Sequence, residues 1–556
     1  MENKVSNAPD PYLSHWADAA ASKTLAAHPG ATKLTVAAGI TPSGVVHIGN
    51  FREVITVDLV ARALRDRGVD VRFIYSWDDF DVFRKVPKNM PKQELLAEHL
   101  GRSIVDVPDP FGEHDSYASH NIAAFEGSLA PLGIQPEFIR QSRRYRAGDY
   151  AAGIRKAVEK REELVKILND ARERTGARSR IAADWLPLYG FCDACKRDTL
   201  EFSVEADAGG ELKVRYRCTS CGHEHEVDLA AGGNVKLPWR VDWPMRWAEE
   251  KVAFEPGGKD HSSAGGSYDT AQHIVREVYG GTAPQYVGYD FVRVKGRGGK
   301  ISSSKGDVVT VADCLKIYEP EILRWIFVGT RPNRELQISF DLDVIKLYED
   351  YDRARRLAYS PRESGEGKKA ERKEKKRLAA MRTMQLSSVD NRRIEEGARM
   401  PFQPQFRHLS MILQIHDGDL EGTLAHYEQT GQIVDEEDRR LSRQRARCVW
   451  NWIERYAPPD FRYRIREQPV TRELSADQAT VLGRIVAVLR DKPDISEPEL
   501  IPHMKTLCEG TELSNKDFFP LAYDLLIGRP KGPKLTTLVT TMGGARALSL
   551  LEPSLG

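Results

Sequence analysis

The sequence predicts an α/β protein in which a domain built on a Rossmann-type parallel sheet carries a zinc-ribbon insertion and precedes an all-α C-terminal domain. Three observations predict this fold class. A strand, an amphipathic helix and a second strand follow one another near the N-terminus, two CxxC pairs lie in the middle of the chain, and helical periodicity dominates after about residue 310. Because single hydrophobic cores stop growing well below the 556 residues of this chain, several domains are expected.

The composition is typical of a globular protein, with 41% hydrophobic and 29% charged residues. A formal net charge of +1 excludes a globally basic nucleic-acid binder, so any RNA contact has to come from local patches. The first 15 residues lack the apolar core of a signal peptide, and no apolar run approaches the length of a membrane span. We therefore expect a cytoplasmic protein with no membrane partner.

Shifts in composition and periodicity indicate where the domains begin and end. The two halves of the sheet domain are expected at residues 1–185 and 231–310, on either side of an insertion at residues 186–230. A group of helices at residues 311–358 then leads to the α-helical domain at residues 359–556.

The N-terminal strand–helix–strand unit is indicated by its hydrophobic pattern. Residues 34–40 form an apolar run typical of a buried strand, and between about residues 46 and 67 apolar side chains recur every four positions. Gly68 stands where a helix C-terminus favours glycine, and residues 69–75 form the next apolar run. A strand, crossover helix and strand of this size predict a parallel sheet with a ligand site at the carboxyl ends of its strands.

The loop between the first strand and its helix, residues 41–50 (TPSGVVHIGN), is suited to a nucleotide phosphate. A proline and glycines keep the loop tight, and the helix N-terminus offers unpaired N–H groups and a positive dipole end. His47, Asn50 and Glu53 are spaced three residues apart, so two neutral donors and a deeper carboxylate share one helix face. The arrangement fits ATP at the mouth with a cationic group beyond it, and it also fits a plain capped helix with a surface histidine.

A second candidate is the glycine-flanked cationic loop at residues 300–306 (KISSSKG), whose three hydroxyls and two lysines suit a polyphosphate. It is not a Walker loop, because Val294 stands where that motif needs its first glycine and Ile301 follows the lysine. Taken alone, a loop of this composition also fits an ordinary turn.

The cysteines predict a metal site. Four of the seven form two CxxC pairs, Cys192 with Cys195 and Cys218 with Cys221, separated by 22 residues. Two thiolate pairs at this spacing complete a tetrahedral Zn²⁺ site, and four thiolates leave no open catalytic position, so a structural role is expected. His223 and His225 are close enough in sequence to compete as ligands, and they also fit surface histidines.

Together, the two loops resemble the HIGH and KMSKS motifs of the class I aminoacyl-tRNA synthetases. Three further segments are similar to the class I lysyl-tRNA synthetases: residues 76–81 (SWDDFD), 238–247 (PWRVDWPMRW) and 255–269 (EPGGKDHSSAGGSYD). The resemblance covers about residues 10–355 and extends loosely beyond. In one departure, Ser303 stands at the second lysine of KMSKS, so we expect Lys305 to supply that charge.

The resemblance implies ligation of L-lysine to tRNA(Lys) through a lysyl-adenylate, with ATP and Mg²⁺, by a monomer whose sheet domain is catalytic and whose helical domain binds the anticodon. Catalytic roles are expected of His47, Asn50, Lys300 and Lys305. ATP contacts are expected of Thr41, Pro42, Ser43, Gly44, His47, Gly49, Asn50, Asp260, Ser302, Ser303 and Ser304. Lysine contacts are expected of Gly39, Thr41, Glu53, Asp79, Trp239, Trp243, His261 and Tyr289, with Glu53 as the partner of the ε-ammonium.

Several alternatives stay open at this level. Asp79 equally fits a residue that ends a strand, and each tryptophan fits core packing. The same fold with another amino acid, namely glutamate, arginine or cysteine, is a second hypothesis. A third is a non-catalytic zinc-ribbon RNA-binding protein that retains a nucleotide fold.

Overall fold

The computed structural model describes residues 13–177, 179–206, 212–261, 265–296, 308–362 and 365–556. The chain folds into two compact units. The first consists of residues 1–315, 320–338 and 357–398, and the second of residues 316–319, 339–356 and 399–556. The domain boundaries expected at residues 185, 230, 310 and 358 stay predictions.

The N-terminal unit of the parallel sheet is confirmed. Helix α1 (Trp16–Ala27) precedes strand β1 (Lys33–Ile40), helix α2 (Ile48–Arg65) and strand β2 (Asp70–Trp77). Strands β1 and β2 pair in parallel over their whole length. Gly68 ends the helical turn with φ +81°, a backbone conformation in which glycine is favoured.

The remainder of the sheet domain surrounds an antiparallel insertion. After β2 come α3 (Gln93–Glu98), α4 (Tyr117–Leu129), β3 (Glu137–Arg140), α5 (Gln141–Arg146), α6 (Ala151–Glu159) and α7 (Arg161–Arg174). The insertion holds β4 (Tyr189–Gly190), β5 (Leu200–Ala206), β6 (Leu212–Cys218), β7 (Glu224–Val227) and β8 (Val235–Lys236). Strands β5, β6 and β7 form one antiparallel sheet, and β4 pairs with β8.

The chain then returns to the parallel sheet. The next elements are α8 (Trp239–Glu250), β9 (Val252–Phe254), β10 (Gly257–Gly258), α9 (Ser267–Glu277), β11 (Gly288–Tyr289) and β12 (Val292–Val294). The main sheet has the order β3-β2-β1-β9 with every pair parallel, so the carboxyl ends of four strands lie at one edge. The sequence of residues 286–294 predicts one strand directly before the cationic loop. This prediction is wrong, because β11 pairs with β10 whereas β12 pairs with the later strand β13 (Leu336–Ile338).

Helices account for nearly all of the regular structure that follows. They are α10 (Val311–Leu315), α11 (Pro320–Val328), α12 (Asp343–Ala358), α13 (Lys368–Ser387), α14 (Phe406–Ile415), α15 (Leu420–Gln429), α16 (Glu436–Arg455), α17 (Ala476–Asp491), α18 (Glu497–Lys505), α19 (Asn515–Ile527), α20 (Leu535–Met542) and α21 (Gly544–Leu551). The part of the second unit that the structure describes contains no strand, which confirms the all-α C-terminal region. One of its hydrophobic cores packs around Leu482, Phe518 and Leu538.

Within the first unit, a buried ion pair joins α13 to α1. The guanidinium of Arg382 donates to both carboxylate oxygens of Asp18, at 2.6 and 3.0 Å, and both side chains are almost fully buried. Arg67 adds a second contact to Asp18 at 3.1 Å. Among the described residues, no helix combines the length and the apolar character needed to cross a membrane.

Candidate functional site

Helix α2 opens with a capping box made by two of the predicted nucleotide residues. Nδ1 of His47 accepts the backbone N–H of Gly49 at 3.1 Å, and Oδ1 of Asn50 accepts the backbone N–H of His47 at 3.1 Å. Because Nδ1 is an acceptor, a neutral His47 ring carries its proton on Nε2 and presents a donor. A Cβ at Gly49 would lie 2.8 Å from the His47 ring, so only glycine leaves that ring in place.

One turn deeper on the same helix, Glu53 is held between two elements. Its Oε1 accepts the backbone N–H of Gly39 at the end of β1 (2.9 Å), and its Oε2 accepts the hydroxyl of Tyr289 on β11 (2.6 Å). Burial raises the pKa of Glu53 to about 7, against the opposing effect of the hydrogen bonds from Tyr289 and Gly39. The carboxylates of Glu255 and Asp78 raise it further. Glu53 therefore changes charge near neutral pH.

Gly39 and Glu53 line a cavity of about 90 Å³ with aromatic walls. The rings of Trp239 and Trp243 are nearly parallel, with centroids 5.3 Å apart, and the His261 ring lies 5.6 Å from that of Trp239. Glu255 accepts the indole N–H groups of Trp243 (3.0 Å) and Trp247 (2.5 Å). The predicted lysine residues that line this cavity are Gly39, Glu53, Trp239, Trp243 and His261.

The cavity is rich in carboxylates. Asp78 lines it beside Glu53 and Glu255, and it forms an ion pair with Arg246 at 2.8 Å. Arg246 also forms an ion pair with Asp242 at 3.1 Å. Burial raises the pKa of Asp78 to about 6. Because one guanidinium is shared between two aspartates while Glu53 and Glu255 accept only neutral donors, the electrostatics favour a cationic ligand.

The structure does not bring Asp79 to this cavity. Both of its carboxylate oxygens are taken by Ser142, from the backbone N–H at 2.8 Å and the hydroxyl at 2.7 Å, so Asp79 anchors the start of α5. Side chains alternate along a strand, and Ile74, Ser76 and Asp78 share the face that lines the cavity. That alternation was the sequence signal that distinguishes Asp78 from its neighbour.

Thr41 and Ser43 belong to the nucleotide loop, residues 41–50. The hydroxyl of Thr41 donates to Asp81 at 2.8 Å, and Asp81 also holds the buried ammonium of Lys236 at 2.7 Å. Thr41 and Ser43 line a second cavity, which has Trp239 in common with the first. Asp260 is exposed in a short 3₁₀ turn, Lys259–His261. The loop residues Lys300, Ser302, Ser303, Ser304 and Lys305 lie outside the described residues.

Sequence reasoning missed Asp78, Asp81, Lys236, Arg246 and Glu255. Each follows or precedes an aromatic or apolar run, where an isolated charge is costly unless it is paired. Glu255 comes directly after β9, so the rule that ligands bind at the carboxyl ends of parallel strands was the signal that could have found it.

The four predicted zinc ligands converge in the insertion. The Sγ atoms of Cys192 and Cys221 are 3.7 Å apart, those of Cys195 and Cys218 are 3.6 Å apart, and all four lie within 4.8 Å of one another. Zn–S bonds of about 2.3 Å in a tetrahedron place sulfurs about 3.8 Å apart, so the donor set fits Zn²⁺. His223 and His225 cluster instead with Asp193.

Comparison with known proteins gives a consistent result. Residues 14–388 match the model of the family described as tRNA synthetases class I (K). A lysine–tRNA ligase from Treponema pallidum (strain Nichols) is 42% identical over 97% of this chain and 98% of its own. One from Borrelia garinii subsp. bavariensis is 42% identical over 95% and 97%, and one from Pyrococcus furiosus is 38% identical over 95% and 98%.

Proposed function

This chain belongs to the family of tRNA synthetases class I (K), and on that premise we propose that it is a lysine–tRNA ligase that joins L-lysine to tRNA(Lys) at the expense of ATP. The observation that supports a cationic amino acid is the cavity lined by Glu53, Asp78 and Glu255, where Arg246 already pairs with Asp78 and Asp242. The relatives named lysine–tRNA ligase favour lysine over arginine. Glutamate would be repelled there, and cysteine would leave the carboxylates uncompensated. The same cavity argues against a merely RNA-binding role.

In the proposed complex, the carboxylate of Glu53 accepts a hydrogen bond from the ε-ammonium of lysine. The hydroxyl of Tyr289 orients that carboxylate. The faces of Trp239 and Trp243 pack against the methylenes and add cation–π attraction. Gly39 and Thr41 contact the main chain of the amino acid, and His261 closes the cavity. Asp260 holds the ATP ribose or the amino group.

Activation then proceeds by attack of the lysine carboxylate on the α-phosphorus of ATP, with departure of pyrophosphate. The barrier is lowered mainly by positioning and by charge stabilisation. The Nε2–H of His47, the amide of Asn50 and the N–H groups of α2 face the α-phosphate, whereas Lys300 and Lys305 hold the β- and γ-phosphates. Mg²⁺ bound to the ATP phosphates would neutralise part of their charge.

In the second step, the 2′-hydroxyl of the terminal tRNA ribose attacks the lysyl carbonyl and AMP leaves. Family resemblance suggests that activation requires the cognate tRNA. The helical C-terminal domain binds the anticodon, and Zn²⁺ on the four cysteines has a structural role. We further propose that the protein acts in the cytoplasm as a monomer.

The test is ATP–pyrophosphate exchange with each of the twenty amino acids, with and without total tRNA. We expect exchange with lysine alone, and only when tRNA is present. Replacement Glu53→Gln should abolish it, whereas Tyr289→Phe, which keeps the carboxylate, should weaken it less. Exchange with another amino acid would keep the fold and overturn the assignment of the cavity, and silence with all twenty would overturn the proposed enzyme.

A further inference from the structure

Two histidines and a carboxylate converge at the start of α4, outside both cavities described above. They are Glu113, His114 and His120, and one potential ligand atom from each lies within 4.8 Å of the other two. None of the three lines the cavity around Glu53 or the one that Thr41 and Ser43 line. The proposed reaction uses none of them, so their convergence needs a separate explanation.

The turn that precedes α4 is held by the buried carboxylate of Asp109. Its Oδ1 accepts the backbone N–H of Phe111 at 3.1 Å, and its Oδ2 accepts those of Glu113 at 2.8 Å and His114 at 2.9 Å. Gly112 has φ +77°, a conformation in which glycine is favoured. The backbone that carries two of the three converging side chains is therefore fixed by one carboxylate.

The imidazole of His120 approaches this turn from the first part of α4. Its Nδ1 lies 3.8 Å from the carboxylate of Glu113 and 3.5 Å from Oδ2 of Asp109. This nitrogen is buried and has no hydrogen-bond partner among the described residues. The Phe111 ring stacks on the imidazole, with centroids 4.3 Å and planes 13° apart, and so sets its plane. An ion pair of His120 with the carboxylates would not require His114, whose ring lies 5.4 Å away and nearly perpendicular.

We propose that Glu113, His114 and His120 bind a divalent transition cation of the Zn²⁺ type. Two imidazoles and a carboxylate are a set that Zn²⁺ accepts, with water in the fourth position. Zn–N and Zn–O bonds of about 2.1 Å in a tetrahedron place the ligand atoms about 3.4 Å apart, close to the 3.8 Å between His120 and Glu113. The positive end of the α4 dipole opposes a cation, and the charges of Glu113 and Asp109 offset that effect. The bound ion joins the turn at residues 109–116 to α4.

The test is equilibrium dialysis of the full chain against Zn²⁺, with zinc content measured by metal analysis. In addition to the ion on the four cysteines, the wild type should bind a further ion with micromolar affinity. His114→Ala should bind one ion fewer than the wild type. Glu113→Gln should weaken the further ion by more than about tenfold, the smallest loss that follows when only an orienting partner of a ligand is removed.

The matched control is His273→Ala. His273 is exposed on α9 and lies 3.0 Å from Glu277, and among the described residues no third ligand joins this pair. The control should bind as much zinc as the wild type. In hydrogen exchange, Zn²⁺ should slow the amides of residues 111–120 in the wild type and in the control, and it should not do so in His114→Ala.

Three outcomes overturn the proposal. One is equal zinc content in the wild type and His114→Ala, and another is an equal loss of zinc in His114→Ala and His273→Ala, which would indicate non-specific surface binding. The third is exchange at residues 111–120 that Zn²⁺ leaves unchanged in the wild type. His114 is exposed, so its replacement should leave the fold intact; if His114→Ala unfolds, His114→Gln takes its place. Lysylation is measured separately, because its absence refutes the proposed function and leaves this metal site standing.

Discussion

The charge of Glu53 should couple lysine binding to pH. Its pKa of about 7, raised from 4.5 by burial and by the nearby Glu255 and Asp78, means that the empty site is about one-tenth ionised at pH 6. A lysine ammonium binds the ionised form, so it lowers this pKa and releases a proton. Affinity for lysine should therefore rise about tenfold between pH 6 and pH 8 and level off above the pKa.

The raised pKa of Glu53 also makes the stability of the ligand-free protein depend on pH, and in the opposite direction to the affinity for lysine. Glu53 binds its proton more tightly in the folded chain than in the unfolded one, so stability is lost as pH rises from about 4.5 to about 7. A pKa shift of this size lowers the stability of the folded chain by about 3 kcal/mol. The whole of this loss applies above pH 7. Glu53→Gln removes that cost, so at pH 8 the ligand-free variant should melt no lower than the wild type although it binds lysine at least about 30-fold more weakly.

Calorimetric titration of lysine into the tRNA-saturated enzyme, in buffers of different ionisation enthalpy, measures both affinity and proton release. At pH 6, the wild type should release close to one proton and Glu53→Gln markedly fewer. Asp78, whose pKa burial raises to about 6, titrates in both proteins, so the difference between them isolates Glu53. A wild-type affinity that is equal at pH 6 and pH 8, or an identical pH dependence in Glu53→Gln, would refute this reasoning.

Three further expectations concern other parts of the chain. Cys195→Ser should lower zinc content measured by metal analysis and loosen the insertion in hydrogen exchange, because the tetrahedral set loses a ligand; full zinc occupancy would contradict this. Gly49→Ala should lower lysylation strongly and destabilise α2 by about 1 kcal/mol, because its Cβ displaces the His47 ring; unchanged kinetics would contradict it. Arg382→Met should cost about 3–5 kcal/mol in denaturant unfolding, because Asp18 stays buried with only Arg67, and lysine affinity should not change in the folded variant.

Local periodicity was sufficient for the parts of the fold that depend on neighbouring residues. The strand–helix–strand unit at residues 33–77 follows from alternation of apolar runs and from Gly68, and the cysteine spacing led directly to the cluster of thiols. Glu53 could be predicted as the partner of the ε-ammonium because residues three apart share a helix face, which it shares with His47 and Asn50. These signals act over a few residues, so no knowledge of the tertiary structure was needed.

The site residues and the strand pairing that the sequence did not predict depend on contacts between distant segments. Glu255 becomes a site residue only because α8 brings two indole N–H groups to it, and Asp78 only because Arg246 lies opposite. The strand expected at residues 286–294 divides because its halves find different partners, β10 and β13. Such pairings are a property of the assembled sheet, which periodicity along one segment does not contain.

The insertion joins the sheet domain through a short antiparallel stem and through a shared hydrophobic core. The strands by which the chain leaves and returns, β4 and β8, pair side by side through Tyr189 with Lys236 and Gly190 with Val235. Tyr189 and Lys236 of this stem line the cavity that Thr41 and Ser43 also line, and the thiol cluster follows directly after β4 in the chain. Residues 191–234 also contribute Phe191, Val214 and Leu229 to a buried core that they share with Phe80 and Tyr145 of the sheet domain. Loss of the metal-binding segment would therefore remove part of that core and loosen the stem that carries Tyr189 and Lys236.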